Sequence, residues 1–299
     1  ESRIYLLHSD RLFHDSNVDA KAQILVGNVQ FRHEDILMYC DSALFYEQSN
    51  SLDAFGNVRM LQGDTVSLDG DILYYNGLDK LARVRNNVVL VHGNTTLYTD
   101  SLDYDRLYNV GYFFEGGRLV TPDNDMTSDW GEYRPDLKLA IFNYNVHMVS
   151  PAPPQKARTV LQSDTLYYYT ETSVANTRGP STIDDGDSHI YTEYAYMNTN
   201  TNHLTLLQRS EMSSPGKKII GDSIVWHSTD SVGEAFGNVI YTDIINKNAM
   251  TGNYCYYNDK LGYTLGTDSA CVMDFSQGSD TMYMHADSIK MYTHNIKTD

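Results

Sequence analysis

The chain has 299 residues, with 39 acidic against 22 basic side chains and a formal net charge of -17. So acidic a surface excludes nucleic acid or an anionic membrane face as the main partner, because both are held through concentrated Lys and Arg. With 24 Tyr and 20 Gly, the composition favours strands and turns over helices, and an almost all-β protein is predicted.

Strand signals recur in register along the chain. GNVQF at Gly27 opens a strand whose inward side carries Val29 and Phe31. CDSALFY follows, with Ala43 and Phe45. GNVRM at Gly56 brings Val58 and Met60, and GDILYY brings Leu73 and Tyr75. NNVVL at Asn86 carries Val88 and Leu90, and TDSLDY carries Leu102 and Tyr104. NYNVHM at Asn143 carries Val146 and Met148, SDTLYY carries Leu166 and Tyr168, GDSIVW carries Ile224 and Trp226, and GNVIY at Gly237 carries Val239. Between about Thr170 and Ser214 the Gly-Asn half of the pattern cannot be aligned.

Two alternating half-repeats account for these segments. One centres on an anchor at Asp10, Asp41, Asp71, Asp100, Asp129, Asp164, Glu193, Asp222, Asn253 or Asp287, spaced 29 to 35 residues apart. Residues two and four beyond the anchor lie on one side of an extended strand, and they are mostly apolar then aromatic. The residue directly after it is often polar, as at Ser42, Ser101, Thr165, Ser223 and Ser288, so that side is expected to face solvent. The other half-repeat begins roughly 15 residues later with Gly-Asn, which tolerates positive φ. The identical AFGNV at Ala54 to Val58 and Ala235 to Val239 is the same half-repeat, six repeats apart.

A unit of about 30 residues that buries little alone must stack on its neighbours. The predicted fold is an elongated, repetitive β-roll of about ten stacked two-strand turns, forming one domain over 1–299. The three prolines of MVSPAPPQKART, Met148 to Thr159, mark an inserted loop or bend, with a domain boundary there as the alternative.

The alternation of A-x-G-N-V with G-D-x-[IL]-x-[YW], carried by AFGNV, GDILYY and GDSIVW, resembles the OstA/LptA family of periplasmic lipopolysaccharide-transport proteins, including LptC and the periplasmic part of LptD. The resemblance spans about Ile4 to Met291. It implies a twisted open roll of V-shaped section whose apolar groove shields lipid A acyl chains. The inward residues above, from Val29 to Val239, would line that groove. It also implies a periplasmic location, end-to-end stacking with itself or like-folded components into a bridge between the membranes, no cofactor and no catalytic residue. Arg59, Arg83 and Arg85 are the candidate head-group cations.

Other motifs point elsewhere only weakly. Ser223 in the GDS of Gly221 to Ser223 occupies a recurrent strand position and lacks the G-x-S-x-G setting of an esterase. The Asp column lacks the G-G-x-G-x-D calcium signature, and the clusters PDNDMTSD and DDGDSH lack EF-hand spacing. The histidines show no zinc spacing. Cys40, Cys255 and Cys271 form no CxxC, and Cys255 is expected in the core. No apolar run reaches the ~18 residues of a membrane-spanning helix, so a soluble chain is expected. A β-solenoid carbohydrate-active enzyme and a closed structural scaffold are the alternative functions.

Overall fold

A computed structural model describes residues 2–150, 158–227, 229–278 and 280–292. The chain divides into two compact units, 1–145 and 146–299. The division falls beside the expected bend at 148–159, of which 151–157 lie outside the described residues.

Unit 1 contains β1 (Tyr5–His8), β2 (Arg11–Phe13), β3 (Gln23–His33), β4 (Ile36–Tyr46), β5 (Ser51–Gln62), β6 (Val66–Asn76), β7 (Leu81–His92), β8 (Thr95–Asp105), β9 (Val110–Phe113), β10 (Gly117–Val120), β11 (Asp125–Ser128), β12 (Trp130–Arg134) and the start of β13 (Leu139–Ser150). Unit 2 contains β14 (Thr159–Tyr169), β15 (Val174–Asp184), β16 (His189–Thr192), β17 (Tyr194–Asn198), β18 (His203–Ser214), β19 (Lys217–His227), β20 (Val232–Asp243), β21 (Asn248–Asn258), β22 (Tyr263–Asp274) and β23 (Met282–Tyr292). All their pairings are antiparallel, and no α-helix occurs among the described residues. The all-β expectation holds.

Seven of the ten anchors lie in the middle of strands, where each strand bends, and Asp10, Asp129 and Glu193 lie at the breaks between consecutive short strands. On β3, Val26 faces Ser42 and Val29 faces Cys40, so β3 carries one extra residue opposite Asp41. The same bulge lies at Phe55/Val58, Arg85/Val88 and Phe236/Val239. Each extra residue needs left-handed backbone, supplied by Gly27 and Asn28 (φ 84° and 46°), Gly56 and Asn57 (75° and 45°), Asn86 and Asn87 (63° and 51°), and Gly237 and Asn238 (73° and 45°). In the stretch that could not be aligned, Gly179 (φ 83°) and Gln208 (φ 68°) take this place without the Gly-Asn pair.

The amide of each bulge Asn satisfies an anchor carboxylate on the preceding strand. Asn57 Nδ2 donates to Asp41 at 2.8 Å, Asn87 to Asp71 at 2.7 Å, Asn145 to Asp129 at 2.5 Å and Asn238 to Asp222 at 2.8 Å. The Asn238 amide, followed by the Arg209 guanidinium, holds the Asp222 carboxyl below the usual range. The Asp column is therefore a corner column.

Because the strand bends, its inward phase changes there. On β4, Ile36, Met38 and Cys40 are buried before Asp41, and Ala43 and Phe45 after it. Positions 40 and 43 would lie on opposite faces of a straight strand; both face one interior because the strand wraps around it. Two expectations need correction. Ser101 is buried rather than solvent-facing: beside it, Thr99 Oγ1 donates to the Gly116 carbonyl at 2.7 Å, drawing the segment between β9 and β10 across this corner. Leu12, in the first anchor segment, is exposed, because β2 pairs with β3 alone among the described strands.

Candidate functional site

The inner face consists of rows running across the strands. In unit 1 one row reads Phe45, Leu52, Tyr75, Ala82, Tyr104, Gly111, Tyr133 and Ala140, each opposite the next. Large rings alternate with small residues, so neighbouring strands interdigitate without voids. The facing wall is mostly aliphatic beyond Phe31, with Phe31, Met38, Met60, Leu68, Leu90 and Leu97 in register.

Eighteen of the nineteen residues expected on the inner face are buried: Val29, Phe31, Ala43, Phe45, Val58, Met60, Leu73, Tyr75, Val88, Leu90, Leu102, Tyr104, Val146, Met148, Leu166, Tyr168, Ile224 and Val239. Trp226 is half-buried. In unit 1 these residues are packed against one another, with exposures of 0 to 6%.

Unit 1 closes along a polar seam. The Tyr75 hydroxyl meets His33 Nδ1 at 2.6 Å and the Tyr133 hydroxyl meets His92 Nδ1 at 2.9 Å, while Tyr104 donates to Asn109 Oδ1 with Gln62 Oε1 3.4 Å away. His33, Gln62 and His92 stand 41 or 42 residues from their tyrosines and occupy equivalent places in successive repeats. A buried tyrosine needs a partner for its hydroxyl, and for Tyr75 and Tyr133 it is the last residue of a Gly-Asn or Asn-Asn strand. Arg106 also donates to Tyr75 at 2.8 Å and to Asp35 at 2.8 Å. Burial, followed by Arg106, pushes the His33 pKa down; burial, followed by Lys138, does the same to His92.

Unit 2 opens. Its corresponding rows contain Trp226 opposite Gly233 and Leu204, and Ile219 opposite Met212 and Tyr241. Between them lies a cavity of about 450 Å³, with Met212, Ile219, Ile224, Trp226, Tyr241 and Tyr257 among its lining. Met212, Ile219 and Trp226 are only half-buried, so apolar surface faces the opening. Asp185, Asp187, Lys217, Lys218, Glu234 and Asp259 also line it. Lys217 Nζ donates to the Tyr257 hydroxyl at 2.8 Å and lies 3.7 Å from Asp259, while Lys218 pairs with Glu211 at 2.6 Å. Burial pushes the Tyr241 pKa up to about 12, so its hydroxyl stays neutral. An apolar pocket edged by ammonium and carboxylate groups suits an amphiphile.

The other candidates are placed differently. Arg59 is paired with Asp69 at 2.6 Å, and Arg85 and Arg83 lie 2.8 and 3.7 Å from Asp103. Ser223 lies within β19, opposite Phe236 and Leu207. In the DDGDSH turn, Asp184 and Asp185 accept backbone N–H bonds from Gly186 and from Asp187 and Ser188. Cys255 is buried, with its thiol pushed up to about 12 by burial.

Forward reading from each anchor missed half of the inner face. Ile36, Met38, Leu68 and Leu97 are buried before the bend and Ile219 is half-buried there, while Met212 and Tyr241 face inward after the bulges of β18 and β20. The alternation in ILMYCD and VSLDGD was the available signal.

A family profile described as "OstA-like protein" matches residues 1–156, and one described as "Lipopolysaccharide-assembly, LptC-related" matches 110–213. No curated protein matches the sequence. Among solved structures, LptH of Pseudomonas aeruginosa, the LptA homologous periplasmic component of its lipopolysaccharide transport device, is similar over 38% of this chain and 81% of its own, at 13% identity and a TM-score of 0.33.

Proposed function

The chain belongs to the OstA-like protein family, and from that premise we propose that it is a periplasmic lipopolysaccharide carrier whose cavity in unit 2 takes lipid acyl chains while the saccharide remains in water. The carrying observation is the half-buried apolar trio Met212, Ile219 and Trp226 facing a cavity of about 450 Å³ with charged groups around it. Burying apolar surface drives acyl-chain entry, at roughly 0.8 kcal/mol for each methylene removed from water. Lys217 and Lys218 exchange their carboxylate partners for the anionic groups of the lipid. In unit 1 the sealed row from Phe45 to Tyr104 admits acyl chains only where its Tyr hydrogen bonds part. Like-folded components of the transport machinery add to exposed strand edges and extend the path between the membranes.

The test is photocrosslinking to lipopolysaccharide with a probe placed in turn at Ile219, Trp226, Tyr75 and Tyr104, with outward Phe236 and Ile240 as controls. Strong labelling at Ile219 and Trp226, weak labelling at Tyr75 and Tyr104 and none at the controls is expected. Equal labelling at Phe236 and Ile219, or none at any position in folded variants, overturns the reading and favours a closed scaffold.

A further inference from the structure

We propose that His203 and His227 form a binding site for a divalent metal ion of tetragonal preference, Cu²⁺ or Ni²⁺, separate from the lipid cavity. His203 opens β18 and His227 closes β19, and the two stand directly opposite in the antiparallel register. Their Nδ1 atoms are 3.0 Å apart, with ring centroids at 4.5 Å.

That separation is the bite of a chelate. With metal–nitrogen bonds of about 2.0–2.1 Å, two nitrogens 3.0 Å apart subtend an angle of roughly 90° at the metal. This is the cis angle of square-planar or tetragonal coordination, preferred by Cu²⁺ and Ni²⁺, and is narrower than the tetrahedral angle of structural Zn²⁺. Imidazole donors also disfavour Ca²⁺ and Mg²⁺.

The surroundings prepare the donors. His203 Nε2 lies 3.5 Å from Thr205 Oγ1, a hydroxyl that can accept from Nε2–H once Nδ1 is bound to a metal. Such a partner on the second ring nitrogen is the usual support of a metal-binding histidine. In the free protein one of the two Nδ1 atoms carries the proton shared between the rings. On metal binding that proton moves to the Nε2 of the same ring, and both Nδ1 lone pairs go to the metal. Two ordered strands hold both rings, so little rearrangement is needed. Among the described residues no group of three or more His, Cys, Asp or Glu forms a metal cage; water completes this two-histidine site.

The test uses the full chain stripped of metal, titrated with Cu²⁺ in the presence of glycine as a weak competitor. One equivalent that survives competition is expected, with an electron paramagnetic resonance spectrum showing two nitrogen ligands. It is lost in H203A/H227A and in H203Q/H227Q, whose circular dichroism matches the parent. T205V keeps both nitrogens but weakens binding about 10–100-fold. Retention of the equivalent and its spectrum in both double variants means adventitious copper only and overturns the proposal, as does a single-nitrogen spectrum in the parent. Lipopolysaccharide labelling at Ile219 is an independent readout.

Discussion

Gly56 and Asn57 illustrate why five residues recur so far apart. Both have positive φ, and a Cβ on Gly56 would stand 2.5 Å from Asp41 Oδ2. Gly56→Ala is expected to cost ~1–3 kcal/mol through left-handed strain and this collision, read as a lower urea midpoint. Asn57→Gly keeps the left-handed backbone free of strain, removes the bond to Asp41 and costs about 0.5–1.5 kcal/mol. A larger loss from Asn57→Gly than from Gly56→Ala would show that the amide, not the backbone, makes the corner. At the seam, burial holds His33 and His92 neutral in the folded chain. As pH falls below ~6.5 the unfolded chain therefore binds protons first, and stability drops until the depressed folded pKa values are reached; above that range these groups add no pH dependence. Gln62 already occupies the equivalent place beside Tyr104, 3.4 Å from its hydroxyl. His33→Gln with His92→Gln should keep the seam and flatten the stability profile between pH 7 and 5, whereas an unchanged slope would place the titration elsewhere. Tyr75→Phe strips the buried His33 of its partner and should lower stability by ~1–3 kcal/mol.

At the scale of the strand, the sequence made the register legible but only half of each wall. Counting forward from Asp41 finds Ala43 and Phe45, since alternation holds within a straight segment. It fails to connect them with Met38 and Cys40 because β4 bends at Asp41, opposite the extra residue of β3, and its inward phase changes there. The family resemblance suggested an open groove throughout; periodicity could not separate that from a closed interior, because both bury the same columns. What closes unit 1 is long-range pairing, such as His33 with Tyr75 over 42 residues, and no local pattern reports it. The cavity in unit 2 escaped for the same reason: Trp226 fits the inward column, but its exposure depends on Gly233 and Met212 on other strands. The two interiors should answer differently to added volume. Ala82→Leu, wedged between Tyr75 and Tyr104 in register, is expected to cost ~1–3 kcal/mol. Ile219→Phe, at the opening, should change stability by under about 0.5 kcal/mol while weakening acyl-chain binding. Equal costs in thermal unfolding would mean that the cavity does not accommodate a larger side chain.

For the whole molecule, edge exposure and charge act in opposition. Among the described strands β23 pairs only with β22, and Met282, Tyr283 and Met284 on it are more than half exposed. An unpaired apolar edge invites another strand, while a net charge of -17 repels a second copy. Self-association should therefore strengthen between about 0.01 M and 1 M salt, as the Debye length shrinks from about 30 to 3 Å, and Met282→Lys with Met284→Lys should weaken it. Light scattering checks both, and a salt-independent monomer would remove this edge as a self-docking surface.

The corner also makes the fold editable in whole coils. Excising residues 57–86 would join Gly56 to Asn87 and restore Ala-Phe-Gly-Asn-Val across the junction. The incoming Asn87 amide would meet Asp41 where Asn57 did. A gene can thus gain or lose thirty codons by recombination between repeats while conserving every turn, whereas the gain of one codon inside a strand would turn an inner wall outward.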